Sequence, residues 1–320
     1  MSEICLITGC GGFLGSHLTE RLLTEGHTVV GVDCYTDQFY NYARVQKEAN
    51  VTRLKAKANF EFIEADLTKV EPVSLMDGVT AVYHCAAQVG PRGCWGRDFA
   101  AYTRNNILAT QMLLEASMQV NRFVLASTLH VYGNAEAACT ESTLPRPVSN
   151  YGVARLAAEH LAYSYALNYR IPTVALRFGS LYGPRQRPDM LFHRLIRTAL
   201  EGVSVDLLGD GQQKRDFVYI DDAVDACVAA LTRGGRGDVI NVASGEPRTI
   251  REVVEVLTPK VDLAPERLRW QSPNRGDLTS SWADITRARE VLDWSPRTSL
   301  DSGLDAEVDW IRDQLAAAVS

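Results

Sequence analysis

Short apolar runs recur along the first half of the chain. Ile4-Cys5-Leu6-Ile7, Val29-Val30-Gly31-Val32, Phe60 to Ile63, Ala81 to Cys85, Phe123 to Ala126 and Val174 to Leu176 each have the length and content of a buried strand. Helical spacing falls between some of them. Ser16 to Thr24 puts Leu18, Leu22 and Leu23 on one side, and Asn106 to Met118 and Val153 to Asn168 are longer helical stretches. Strands alternating with helices predict an α/β fold built on a parallel, doubly wound sheet. After Arg177 the rhythm changes. Gly183-Pro184-Arg185-Gln186-Arg187-Pro188 is turn-like and basic, and short elements are expected beyond it. The pattern predicts a main domain of residues 1–177, rejoined by about 216–242, and a smaller lobe from 178–215 and 243–320. No low-complexity linker separates the two, so they are expected to share a tight cleft.

Composition narrows the class without changing the fold. The 320 residues suffice for two lobes, and 46% apolar with 22% charged residues is ordinary for a globular protein. A net charge of −6 argues against a nucleic-acid partner, whose binder would carry a basic footprint. No run of about 18 apolar residues is present, so no membrane span is expected. The first apolar run lacks a basic leader and leads into a glycine loop, unlike a signal peptide. The seven cysteines are scattered without C-x-x-C spacing, which argues against a metal site or a disulfide framework. Cytoplasmic residence in a reducing cytosol is expected.

The strongest local chemistry is Thr8-Gly9-Cys10-Gly11-Gly12-Phe13-Leu14-Gly15, which follows a strand and opens a helix. Glycines at 9, 12 and 15 let the backbone turn, approach a pyrophosphate and pack on the helix. The phosphates would sit on free N–H groups at the helix N-terminus. Asp33 ends the second strand, where its carboxylate can accept from ribose hydroxyls and disfavours a 2′-phosphate, so NAD is expected over NADP. Asp66, after the third strand, either faces the adenine amino group or stands as a solvated strand-end carboxylate.

With Thr8 in front, this glycine spacing joins Asp66-Leu67, His84-Cys85-Ala86-Ala87-Gln88, Val131-Tyr132-Gly133 and Tyr151-Gly152-Val153-Ala154-Arg155. Together they resemble the extended short-chain dehydrogenase/reductases, which include NAD-dependent nucleotide-sugar epimerases, dehydratases and decarboxylases. The resemblance runs almost the whole chain. It implies a Rossmann-type NAD-binding domain with a nucleotide-sugar-binding lobe, and cofactor contacts from Gly9, Gly12, Phe13, Leu14, Asp33 and Asp66. Leu67, Ala86, Ala87, Gln88, Tyr151 and Arg155 complete that implied set. Val32 to Asp37, Ala86 to Arg92 and Tyr182 to Met190 look most like the UDP-glucuronate 4-epimerases.

By the same resemblance Tyr151 is the base that takes a proton from a sugar hydroxyl, and Thr128 hydrogen-bonds the reacting oxygen. A free tyrosine titrates near ~10, so a neighbouring cation is needed to activate it. The family carries lysine one helical turn beyond the tyrosine; this chain carries Arg155, which keeps the charge but not the ammonium geometry. Leu129 and His130 stand where the dehydratases carry Asp-Glu, and an apolar Leu129 argues against dehydration. His130 is a candidate to bind a substrate carboxylate or donate a proton, or else a hydrogen-bonded wall residue. Arg215 and Arg275 resemble the arginines that grip the diphosphate, and Asp277 the group on a ribose hydroxyl. Ser180, Arg185 and Arg92 are expected to face the sugar, with Arg187 the weaker candidate.

The resemblance therefore implies a UDP-sugar substrate and a 4-epimerase, first of UDP-glucuronate to UDP-galacturonate. A UDP-glucuronate decarboxylase or an epimerase of a neutral UDP-hexose is the alternative, and a catalytically impaired binding protein, motivated by Arg155, is a second. A homodimer through the helices 106–118 and 153–168 is also implied.

Overall fold

The computed structural model describes residues 2–35, 41–91 and 93–319. Each apolar run of the first half forms a strand: β1 Ile4–Thr8, β2 Thr28–Asp33, β3 Phe60–Glu64, β4 Ala81–His84, β5 Arg122–Thr128 and β6 Thr173–Phe178. A later strand, β7 Asp238–Val242, joins them in one seven-stranded sheet of order β7-β6-β5-β4-β1-β2-β3. Every neighbouring pair is parallel. From β1 the chain winds outward first through β2 and β3, then in the other direction from β4. Such a reversal opens a crevice at the carboxyl ends of the strands.

Both faces of this sheet are covered. In β1 the two-residue alternation sends Cys5 and Ile7 into one core, with Leu18 and Leu22 of α1 (Phe13–Thr24). Leu6 enters the opposite core, against Leu113 and Leu114 of α3 (Ala109–Ala116) and Ala158 and Ala162 of α4 (Asn150–Tyr169). Helix α2 (Asn41–Lys55) was not legible, because Val51 and Leu54 are the buried apolar pair in an otherwise polar stretch.

The expectation of short elements after Arg177 is corrected by four helices: α5 Leu191–Glu201, α6 Ile220–Thr232, α7 Ile250–Val261 and α8 Leu300–Val319. In α5, Phe192, Leu195, Ile196 and Ala199 fall at the i, i+3, i+4, i+7 positions of one helical face and are buried. Helix α7 starts at a capping box in which Thr249 and Glu252 satisfy each other's backbone N–H groups. Their apolar faces meet in a second core, where Phe192 and Leu195 pack with Val253, Leu257, Leu304 and Val308. Helix α6 instead packs against α1 under the main sheet.

Candidate active site

The glycine loop sits at the end of β1. Gly9 donates its N–H to the Val32 carbonyl at 2.7 Å, and Gly12 donates to the Gly9 carbonyl at 2.9 Å. Gly9 has φ +73°, and a Cβ there would lie 2.8 Å from the Ala86 nitrogen. A Cβ on Gly15 would strike the Gly9 carbonyl oxygen. Helix α1 opens after Gly12 with no side-chain cap, so its first N–H groups face the crevice end of the sheet. Gly15→Ala is expected to destabilise the fold by about 1–3 kcal/mol, the usual cost of overpacking. A denaturant melt checks it; unchanged stability would contradict the close approach.

Asp33 is buried at the end of β2. One carboxylate oxygen accepts the Gly11 N–H at 2.9 Å; the other accepts from Lys47 Nζ at 3.0 Å. Burial raises the Asp33 pKa, and the Lys47 ammonium opposes that rise. Lys47 comes from α2 and lines the cleft, a contribution that sequence reasoning missed because α2 itself was not legible. Asn50 on the same helix donates to the Gly11 carbonyl at 3.0 Å and pins the loop. Asp66 lines the cleft too, its carboxylate accepting from the Thr68 backbone at 3.0 Å and hydroxyl at 2.8 Å.

The ends of β1 and β4 are tied by a buried histidine. His84 Nδ1 lies 2.7 Å from Thr8 Oγ1, and Nε2 lies 2.9 Å from Thr110 Oγ1. Burial, helped by the Arg155 guanidinium, holds this imidazole down to about 3, so it is neutral at pH 7. A π-helical turn, Thr103–Leu108, precedes α3 and turns the buried Asn106 toward the segment after β4. Asn106 accepts from the Gln88 N–H at 2.7 Å and donates to its carbonyl at 2.9 Å. That clamp fixes Ala86, Ala87 and Gln88 along the cleft wall.

Thr128 ends β5, and its Oγ1 accepts the His130 N–H at 3.3 Å. Ser149 caps α4 through the Gly152 N–H at 3.2 Å, which places Tyr151 in the first turn. The Tyr151 ring stands edge-on to His130, with centroids 5.5 Å apart, and to Tyr102 at 6.4 Å. One turn further along α4, Arg155 is 2% exposed, and its buried Nη1 has no partner in the protein. Burial lowers its pKa, but a guanidinium stays charged. His130 also carries a buried Nδ1 without a partner; burial, then the Arg215 guanidinium, holds it down to about 4.

One cleft of about 910 Å³ lies between the sheet and the second core, and His84, Asn50, Asn106 and Ser149 support its lining from behind. Gly9, Gly12, Phe13, Leu14, Asp33, Asp66 and Leu67 line one part; Thr128, His130, Tyr151, Arg155, Ser180, Arg215 and Asp277 line the rest. Two of the sequence candidates lie elsewhere. Arg185 has φ +69° and turns toward α1, where Nη2 pairs with Glu20 at 2.7 Å and Nε meets His17 at 2.9 Å. Its charge is paired there, away from the cleft, with Nη1 left buried and without a partner. Arg187, two residues on, lines the cleft and holds both oxygens of Asp189 at 2.8–2.9 Å. Arg275 is exposed, its guanidinium 5.9 Å from the Trp95 ring centre, and does not line the cleft. Arg92 lies outside the described residues.

The residues present fit a dinucleotide. A Cβ at Gly9 or Gly15 would strike neighbouring backbone, so the tight loop leaves bare backbone at the helix N-terminus, as a pyrophosphate requires. Arg155 offers a buried, unpartnered donor one turn from Tyr151. Among the described residues no cluster of His, Cys, Asp and Glu is arranged to hold a metal ion.

A doubly wound sheet with this cradle and this tyrosine-bearing helix defines a dinucleotide-dependent α/β enzyme. The model of the NAD dependent epimerase/dehydratase family matches residues 5–243. The chain is 38% identical to the uncharacterized UDP-glucose epimerase YtcB of Bacillus subtilis (strain 168), over 96% of this chain and 97% of that one. It is 32% identical to the UDP-glucuronate 4-epimerase of Thermodesulfobacterium geofontis, over 97% of this chain and 96% of that one. The crystal structure of UDP-glucuronic acid 4-epimerase from Bacillus cereus, in complex with UDP-glucuronic acid and NAD, superimposes with a TM-score of 0.92. It is 40% identical, with 97% of this chain and 99% of that one covered. The chain belongs to the NAD dependent epimerase/dehydratase family, and its cofactor is NAD.

Proposed function

We propose that the protein is a UDP-sugar 4-epimerase that interconverts UDP-glucuronate and UDP-galacturonate. The observation that carries the reading is the Arg187 guanidinium in the same cleft as Tyr151 and Thr128. Ser180 and the neutral His130 line the same cleft and add polar groups suited to a sugar carboxylate. The likeness to the Bacillus cereus enzyme, crystallised with UDP-glucuronic acid, supports the same reading.

In this mechanism the chain binds, orients and moves protons. Bound NAD, held by the glycine loop, Asp33 and Arg155, supplies the hydride acceptor and donor for C4. Tyr151 takes the proton from the 4-hydroxyl and later returns it, and Thr128 hydrogen-bonds the same oxygen. Arg155 places a permanent positive charge one helical turn from the tyrosine. Arg215 and Asp277 hold the nucleotide, so the oxidised sugar is free to turn over between proton removal and return. Arg187 and Ser180 keep the carboxylate from aligning its C–C bond with the C4 carbonyl, which suppresses loss of carbon dioxide. Leu129, apolar beside Thr128, supplies no acid for dehydration.

The bidentate Asp189–Arg187 pair favours a second reading, a neutral UDP-hexose, because the guanidinium already has a carboxylate. Incubation with UDP-glucuronate, UDP-galacturonate, UDP-glucose and UDP-galactose, read by mass and by C4 stereochemistry, separates the two. Interconversion of the uronates without mass change is expected. Loss of carbon dioxide, or conversion of hexoses alone, overturns the proposal. No product from any sugar would point to a binding protein crippled by Arg155.

Assembly and location belong to the same proposal. Leu108, Val153, Tyr163, Leu167 and Tyr169 are exposed apolar residues on or beside α3 and α4, and they suit a second copy of the chain. A dimer mass by light scattering is expected, with a monomer for Leu167→Glu. No helix among the described residues is long and apolar enough to cross a membrane. No disulfide joins the cysteines of the described residues, which suits the cytoplasm.

A further inference from the structure

Arginine and glutamate four residues apart on a helix ordinarily reach each other. Arg155 and Glu159 are such a pair on α4, and both are buried. Yet Glu159 is engaged elsewhere. Arg177 of β6 reaches both of its oxygens, Nε at 3.0 Å and Nη2 at 2.7 Å. Ser127 of β5 donates its hydroxyl to the first of them. A carboxylate offers about four lone-pair sites; with a longer reach of Nε to the second oxygen at 3.2 Å, four contacts occupy them. Arg155 keeps a buried Nη1 without a partner.

We propose that Arg177 is a positioning residue that occupies Glu159 and so keeps the Arg155 charge available to Tyr151 and the cofactor. This rests on the roles given above to Tyr151 and Arg155. The groups facing Arg155 are few. At the end of β4, burial holds His84 down to about 3, and just beyond it burial pushes the Cys85 thiol up to about 12, so both are neutral. From its own helix Tyr151 and Glu159 act on it. Glu159 is thus the anion that would neutralise Arg155. Around Tyr151 stand His130, which is neutral, and Tyr102. The Arg177 guanidinium itself lies 4.7 Å from the Tyr132 ring centre and is buried with Glu159.

The test is a double-mutant cycle read by the acidic limb of the pH profile of kcat/KM and by calorimetric NAD affinity. Arg177→Met releases Glu159 onto Arg155; the limb moves up by about one unit and NAD binds about tenfold more weakly. Glu159→Gln removes the anion, so the limb moves down and NAD binds at least as tightly. The double variant, a neutral replacement of a buried pair, returns both readings toward wild type. Should Arg177→Met not fold, the opposite behaviour of Glu159→Gln and the return in the double variant still decide. Limbs and affinities that stay at wild type while melting temperatures fall, or single variants that shift in the same direction, overturn the proposal. If the wild type turns over no UDP-sugar, the catalytic reading fails, and the NAD titrations alone judge the inference.

Discussion

Phenylalanine in place of Tyr151 is expected to lower kcat by about 10²–10⁴-fold, the range lost with a positioned acid–base group. The substitution removes one oxygen and keeps the ring. The edge contacts of that ring with His130 at 5.5 Å and Tyr102 at 6.4 Å persist, so the cleft wall keeps its shape. The loss therefore falls on kcat and kcat/KM together, with NAD affinity little changed. Turnover of UDP-glucuronate with NAD titration alongside checks this. A loss below tenfold would move proton transfer to Thr128 or His130, which share the wall. A loss traced to absent NAD would make the residue a binding group instead.

Methionine in place of Arg155 is expected to lower neutral-pH kcat/KM by about 10²-fold or more, the range lost with a positioned acid–base group, and to move the acidic limb of its pH profile upward. The sign follows from the charge: a cation near the base favours a negatively charged transition state. NAD also binds more weakly, because the unpartnered Nη1 is lost as a donor. Arg155→Lys restores most of the activity, since an ammonium supplies the charge without the fork. Its profile also gains sensitivity at high pH, because a buried lysine can lose its proton and a guanidinium does not. A methionine variant with the wild-type profile and wild-type NAD affinity would remove Arg155 from the machinery. A dead wild type rescued by lysine would show that the arginine impairs the enzyme.

Much of the main sheet was legible because most of its strands are buried on both faces. Six of its seven strands read as short apolar runs, that of the edge strand β3 broken by the exposed Glu61, and the alternation with helices fixed their parallel sense. The loop at Gly9 to Gly15 was legible for a different reason, since glycine is demanded where the backbone approaches itself. Helix α2 and the helices of the second core were less so. Their stability comes from narrow apolar seams, such as Val51 and Leu54, that match partners distant in sequence. Lys47 was missed with α2, and Asn106 because a π-helical turn, invisible in periodicity, decides where it points.

The arginines draw the line most clearly. Sequence alone established that this chain makes a doubly wound sheet, that a glycine loop on β1 receives a dinucleotide, and that Tyr151 and Arg155 share a helix one turn apart. It placed Arg185 and Arg187 together in one basic turn. Only the folded chain separated them: a left-handed backbone at Arg185 sends its charge to Glu20, while Arg187 enters the cleft. Likewise Glu159 stands four residues from Arg155 in sequence but belongs to Arg177 in space. Composition and spacing specify which groups are near along the chain; which of them a charge actually meets is settled by packing, because buried ion pairs form wherever the tertiary structure brings both partners out of water together.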